Sequence, residues 1–485
     1  MFFIGIDLGT SAVKLLMMNQ KGEILKTVSK EYPLYFPKPG WSEQNPEDWF
    51  KGVMSGMEEL LEGSNREAVQ GISFGGQMHG LVALDKNGEV IRPAILWNDG
   101  RTAEQTEYLN GTVGKEKLSA LTANIAFAGF TAPKILWMKQ NEPENFSRIN
   151  KIMLPKDFIT YKLSGSFSTD VSDASGTLLF DVKNRCWSKE MLKICGIEET
   201  MLPKVFESFE TVGLLKEKYA KKLGLKGDVK IIAGAGDNAA AAIGTGTVSD
   251  GDCNISLGTS GTVFISKDSF GVDGANALHS FAHANGKYHL MGCMLSAASC
   301  NKWWCESILK TPDFAAEQKN VPPLGQNRVF FLPYLMGERS PHNDPSARGV
   351  FLGMSMDTTR EDMTMAVLEG VAFALKDSLE AAKTTGVTLS STKICGGGAK
   401  SPLWRKIVAN VTGLTVETLE SEEGPALGAA MLAAVGCGYF SSVAQAAQTV
   451  VKISERIKPD KETMAKYQEK YQKFKQFYPA LKNLF

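Results

Sequence analysis

Phe3 to Lys14 reads Phe-Ile-Gly-Ile-Asp-Leu-Gly-Thr-Ser-Ala-Val-Lys, two apolar runs around a glycine–hydroxyl turn. Asn254 to Phe264 reads Asn-Ile-Ser-Leu-Gly-Thr-Ser-Gly-Thr-Val-Phe and repeats the strand, the Leu-Gly-Thr-Ser turn and the second strand. Apolar runs flanking so short a turn predict hairpins of buried strands. A repeat at this long period predicts a duplicated domain, not a solenoid. At 485 residues the chain exceeds one core and suits two domains or three. Turns of this composition are often only turns. They also present backbone N–H groups and hydroxyls to phosphate oxygens, and Asp7 stands where it could hold an accompanying Mg²⁺ ion. Two such turns facing across a cleft could grip one nucleotide.

Composition narrows what a pair of domains could serve. Hydrophobic residues at 43% and charged residues at 22% are those of an ordinary globular protein. Lys plus Arg equals Asp plus Glu at 53 each, so no net field draws the chain to nucleic acid or to an anionic membrane. The most apolar long run, Pro425 to Phe440, is glycine-interrupted and short for a bilayer. Eight scattered cysteines without a C-x-x-C pair point to free thiols in a reducing compartment. The chain also opens directly on a strand without a basic leader, so a cytoplasmic protein is expected.

Between the two hairpins, Glu47 to Leu61 has helical spacing through Trp49, Val53, Met57 and Leu60. Val69 to Phe74 predicts a strand that delivers Gly75-Gly76-Gln77-Met78-His79-Gly80 to a loop, and α/β sheets bind ligands at the carboxyl ends of their strands. His79, between glycines at a strand end, suits a ligand as well as a structural role. Ala94 to Trp97 predicts a further strand ending in Asn98-Asp99-Gly100-Arg101, a turn whose Asp99 and Arg101 pair with each other. Pro155 to Phe180, dense in small and hydroxyl residues, is expected on loops flanking the cleft. Val229 to Gly236 predicts a buried strand and a glycine-rich turn, after which Asp237 precedes an alanine-rich helix. An Asp in front of a helix is a good N-cap. The helix end also keeps a carboxylate ionised near neutrality, ready to take a proton from a substrate hydroxyl. Phosphoryl transfer asks for little beyond such an acceptor, positioning and Mg²⁺.

Gly244 to Asp252 is small and polar, a hinge dividing the chain into 1–245 and 246–485. His279, His283, His289 and Cys293 match no standard zinc spacing, and Lys287 to Met294 reads as a strand. Glu361 to Leu379 predicts a long helix. A strand through Cys395 meets Gly396-Gly397-Gly398-Ala399 and a helix from Pro402, a shape in which backbone can lie against a nucleotide. Gly424 to Ala430 opens a small-residue helix expected to pack near that site, and the lysine-rich tail from Lys461 reads as a docked terminal helix. Strand, not helix, follows Gly9-Thr10-Ser11, and no P-loop is present, which disfavours a Rossmann oxidoreductase and a P-loop NTPase.

Together these motifs resemble the FGGY family of carbohydrate kinases, members of the actin-like ATPase superfamily, over almost the whole chain. The resemblance is carried by Asp7 to Lys14, Gly76 to Gly80, Trp97 to Arg101, Gly236-Asp237-Asn238, Leu257 to Gly261, Phe331 to Tyr334 through Pro341-His342, Gly396 to Ala399, and Gly424 to Gly428. It implies an α/β fold of two ribonuclease H-like domains around a central cleft, the first binding sugar and the second nucleotide, closing on both. It implies ATP-dependent phosphorylation of D-xylulose to D-xylulose 5-phosphate, with another pentulose, a polyol or gluconate as alternative acceptors. Asp237 is implied as general base, with Met78, His79 and Asn238 on the sugar. Thr10, Ser11, Gly258, Thr259, Gly397 and Ala399 are implied around the nucleotide, and Asp7 near Mg²⁺. The resemblance leaves a homodimer open and implies no nucleic-acid or membrane partner. Read from the residues, a Met-His pair suits an uncharged polyol better than a carboxylate, which would invite Arg. An actin- or chaperone-like ATPase with no sugar substrate is the rival; the Gln77 to Gly80 loop and Asp237 argue against it.

Overall fold

Both glycine–hydroxyl turns close antiparallel hairpins. In the computed structural model, which describes residues 1–485, Phe2–Leu8 pairs with Ala12–Asn19 and Cys253–Leu257 with Gly261–Lys267. The chain packs into two units. The first comprises Met1–Val248, Ser280–His289 and Glu423–Val451; the second comprises Ser249–His279, Leu290–Glu422 and Lys452–Phe485.

In the first unit the sheet runs Thr211–Leu214, Lys230–Ile232, Val69–Gly76, Phe2–Leu8, Ala12–Asn19, Ile24–Glu31. Its central strands are apolar on both faces because both faces are covered. On one side lies the Pro46–Leu60 helix, capped by Asn45 and burying Trp49, Val53, Met57 and Leu60. On the other side lie the Asp237–Gly244 and Gly424–Gly436 helices, whose small residues allow backbone-to-backbone contact. A Cβ on Gly428 would overlap the Ala240 carbonyl, and one on Gly5 would overlap that of Ala426.

The second unit repeats the plan. Its sheet runs Tyr288–Met294, Gly261–Lys267, Cys253–Leu257, Ser391–Cys395, Thr415–Leu419, Ile453–Ile457. In both units the first hairpin strand pairs in parallel with a strand that runs into consecutive glycines, Gly75-Gly76 at the end of Val69–Gly76 and Gly396-Gly397 just after Ser391–Cys395. Arg360–Lys383, opened by a Thr359–Asp362 capping box, fills the core with Leu368, Val371 and Leu375. Lys461–Leu481 docks on the same core through Tyr467, Tyr471 and Phe474, the last with its ring 5.1 Å from that of Phe373.

Two local readings are corrected. The strand expected over Ala94 to Trp97 is only Ala94–Ile95, since the chain turns at once into the Asp99–Arg101 pair. Pro155 to Phe180 is not loop: Pro155–Ser164 and Val171–Ser175 are helices, with the Ser168–Asp170 strand between them. Its polar side chains are buried because they pair, with Lys156 Nζ 2.6 Å from Asp157 and 2.9 Å from Asp170. The Gly424–Gly436 helix packs in the first unit against Phe2–Leu8 and Asp237–Gly244.

Candidate active site

Strand register brings the candidate residues of the first unit into rows. Asp7, Gly75 and Ala235 lie side by side across three parallel strand ends, and Leu8, Gly76 and Gly236 form the next row. Adjacent strands are about 4.8 Å apart, so Asp7 and Ala235, two residues before Asp237, stand about 10 Å apart at the carboxyl edge of one sheet.

Asp237 is the first residue of its helix, and Gly236 occupies the cap position. The N-cap role is therefore corrected: the carboxylate does not cap the helix. Its Oδ1 accepts from Asn238 N at 2.7 Å and from Asn238 Nδ2 at 3.0 Å. Burial pushes its pKa up to about 6 against the opposing pull of these two donors. It therefore stays mostly ionised at pH 7 yet is basic enough to accept a proton.

Met78 and His79 line the same place. A Cβ built on Gly176 would meet Met78 Cε at 2.9 Å, and one on Gly236 would meet Met78 Sδ at 3.0 Å, so Met78 is lodged between these two glycines. His79 is held in the left-handed region at φ 69°. Its Nδ1 lies 2.6 Å from Gly176 O; a carbonyl only accepts, so Nδ1 carries a proton. The ring stacks on Phe130 at 4.6 Å, and Lys134 Nζ donates to the His79 carbonyl at 2.8 Å.

The Gly9-Thr10-Ser11 turn is fixed from behind. Tyr32 OH donates to Gly9 O, Gln44 Nε2 to Thr10 O at 2.6 Å, and Trp97 Nε1 to Thr10 Oγ1 at 2.9 Å. Asp7 has its pKa raised to about 7 by burial and then by the Asp237 charge; Lys14 opposes this and Glu423 adds to it. No donor of the protein is hydrogen-bonded to its carboxylate. A carboxylate in need of positive charge, beside a turn that can face phosphate, suits Mg²⁺. That ion keeps most of its waters and takes one or two carboxylates plus phosphate oxygens, so no larger protein cage is required.

The second unit holds a cavity of about 660 Å³, lined by Gly258, Thr259, Gly397, Gly398, Phe314 and Trp404 among others. Gly396 turns the chain at φ 89°, and a Cβ there would lie 2.7 Å from the Leu257 backbone. Ser401 Oγ accepts from Trp404 N at 3.1 Å and donates to Gln318 at 2.5 Å. Of the residues expected around a nucleotide, Gly258, Thr259 and Gly397 line this cavity together. Ala399 is buried beneath the lining, its N–H bonded to Gly396 O. Thr10 and Ser11 belong to the first unit.

Comparison with known proteins gives the family. Residues 2–244 match the N-terminal domain, and residues 253–437 the C-terminal domain, of the FGGY family of carbohydrate kinases. The chain belongs to that family. Its fold is that of the FGGY kinases, with an actin-like ATPase plan in each of two α/β domains. It is 37% identical to a xylulose kinase of Staphylococcus xylosus, covering 98% of this chain and 99% of that one. A xyloylose kinase structure from Brucella ovis matches at 37% identity with a TM-score of 0.96 over 100% of both chains. A gluconate kinase structure from Lactobacillus acidophilus matches at 27% identity with a TM-score of 0.94, covering 99% of this chain and 98% of that one. No helix of this FGGY chain is long and apolar enough to cross a membrane.

Several residues of the FGGY site carry weak sequence signals. Lys134 stands among apolar neighbours, and nothing in its spacing points to the His79 carbonyl. Gln44 and Tyr32 reach the first turn from separate segments. Arg101 resolves as the turn reading expects: it pairs with Asp99 at 2.7 Å and Glu43 at 2.7 Å and stacks 3.7 Å from the Trp41 ring centre.

Proposed function

We propose that this chain transfers the terminal phosphoryl group of ATP to a hydroxyl of D-xylulose, giving D-xylulose 5-phosphate and ADP. The observation that carries this reading is Asp237, a carboxylate poised at about pH 6 beside the Met78–His79 loop on the carboxyl edge of the sheet. Asp237 accepts the proton of the attacking hydroxyl while Asn238 fixes the carboxylate's direction. His79 and Asn238 bind sugar hydroxyls, and Met78 supplies an apolar wall. Thr10 and Ser11 present N–H and hydroxyl groups to phosphate oxygens. Asp7 holds Mg²⁺, which when bound offsets phosphate charge. Gly258, Thr259 and Gly397 receive the nucleotide in the second unit, with Ala399 supporting that loop. The division of labour is sugar and base on the first domain, nucleotide on the second. Eight free cysteines fit a reducing cytoplasm.

Gluconate is disfavoured by the charges that surround the sugar loops. Arg101 is taken by Asp99 and Glu43, Lys156 by Asp157 and Asp170, and Lys134 Nζ donates to the carbonyls of His79 and Gly129. A substrate carboxylate would call for a cation there. The test is ADP release with D-xylulose, D-ribulose, L-ribulose, glycerol and gluconate. D-xylulose should give the highest kcat/KM; a preference for gluconate or glycerol would overturn the assignment.

A further inference from the structure

The five-residue helix Val171–Ser175 touches both halves of the sugar site. At its start, Ser172 Oγ accepts at 3.1 Å from the N–H of Gly236, the residue before Asp237. The same hydroxyl donates to Asp170 Oδ2 at 2.5 Å. That carboxylate oxygen also accepts from Ser172 N at 2.8 Å and from Ser208 Oγ at 2.7 Å, while Lys156 Nζ stands 2.9 Å from Oδ1. Asp170, Ser172, Ser208 and Lys156 are all buried. Lys156 in turn lies against the end of the Val69–Gly76 strand, its Cβ 2.7 Å from where a Cβ on Gly76 would stand. Beyond the helix's other end, the Gly176 carbonyl holds His79 Nδ1.

From this chain of contacts we infer that Ser172 is a positioning residue for Asp237, acting through the Gly236 amide and rooted by the Asp170–Lys156 pair. The inference rests on the reading of Asp237 as general base and deepens it. A serine is required because one atom must both accept from an amide and donate to a carboxylate, which neither Ala nor a pure acceptor can do. Loss of the hydroxyl leaves a buried N–H unpaired and frees the Ala235–Gly236 peptide, immediately before Asp237, to move. A carboxylate displaced by a fraction of an ångström still meets the sugar but no longer meets its hydroxyl proton in line.

Ser208 provides the control, because it donates to the same Asp170 oxygen and its hydroxyl makes no bond to Gly236. Ser172→Ala, Ser208→Ala and Asp237→Asn are to be compared by kcat, sugar KM and thermal melting. Ser172→Ala should lose roughly 10- to 100-fold in kcat with sugar KM within about threefold of wild type. Both variants lose one buried hydrogen bond to a charged group, and Ser172→Ala also loses the Gly236 bond, so Ser208→Ala should melt earlier than wild type by a smaller margin and keep kcat within about twofold. Equal kcat in the two serine variants, with Asp237→Asn inactive, overturns the positioning role and leaves the base assignment standing. Turnover retained in Asp237→Asn overturns the base assignment itself. Should Ser172→Ala not fold, Ser172→Cys carries the same test, since it keeps the shape but accepts a hydrogen bond only weakly.

Discussion

Leu8-Gly9-Thr10-Ser11 and Leu257-Gly258-Thr259-Ser260 close the same hairpin in two different surroundings. Both turns have their carbonyls tied down. In the first the ties come from distant side chains, Tyr32 on Gly9 O and Gln44 on Thr10 O. In the second they come from the start of the following helix, with Ala298 N on Gly258 O and Ala297 N on Thr259 O. The residue one before the shared leucine differs too: Asp7 in the first turn, Ser256 in the second. An open cavity of about 660 Å³ lies beside the second turn. Beside the first lies a row of strand ends leading to Asp237. Duplication preserved the hairpin and its turn in both units; under the proposed function the acid–base and metal chemistry is kept in one and the nucleotide is received by the other.

The largest expected effect separates the units by chemistry. Asp237→Asn should lower kcat by about 10²–10⁴-fold, the usual worth of a general base, with little change in melting because Gly236 occupies the cap position. A parallel loss of melting temperature would return Asp237 to a purely structural role.

Asp7→Asn comes next, and it trades activity for stability. Turnover should fall by about 10- to 100-fold and the Mg²⁺ dependence should weaken, as expected when one of the few protein ligands of such an ion is lost. The pKa of Asp7 in the folded chain is raised to about 7, above its ordinary value of 3.8. The folded form therefore holds a proton that the unfolded form releases, and the stability it contributes falls as pH rises from about 4 to about 7. The melting temperature of the nucleotide-free Asn variant should accordingly exceed wild type at pH 8 and approach it near pH 4. An unchanged Mg²⁺ dependence would remove Asp7 from the site.

A smaller effect tests the cavity of the second unit alone. A Cβ at Gly397 meets nothing within 4 Å and points into open space. Gly397→Val should raise the KM for ATP by about tenfold, or 1.4 kcal/mol, leaving sugar KM and melting unchanged. A shift in sugar KM instead would reverse the division of labour.

The smallest is a pH shift. Asn238→Ala removes a side-chain donor that holds the Asp237 pKa down. The acid limb of kcat/KM, expected near pH 6 in wild type, should move upward by roughly half a unit to one unit; a downward move would contradict these electrostatics.

What could be read from the sequence follows the same contrast. The two hairpins, the Pro46–Leu60 and Arg360–Lys383 helices and the strand–glycine–helix segment near Gly396 are legible because periodicity and turn chemistry are local. Pro155 to Phe180 is not, because hydroxyls and charges in sequence resemble a solvated loop, and only the fold shows Lys156, Asp157 and Asp170 paired in the interior. The Gly424–Gly436 helix announces close packing through its glycines and alanines, but its partners, Gly5 and Ala240, lie hundreds of residues away. Of the site, Asp7, Met78, His79 and Asp237 are marked by motifs, whereas Ser172, Lys134 and Gln44 act through backbone groups that carry no motif.

The most direct measurement is a crystal structure with D-xylulose and a nonhydrolysable ATP analogue. It should place a sugar hydroxyl within hydrogen-bond distance of the Asp237 carboxylate, beside Met78, His79 and Asn238, with the nucleotide in the cavity at Gly258, Thr259 and Gly397. A sugar bound away from Asp237, or a nucleotide bound elsewhere than the second turn, would contradict the account.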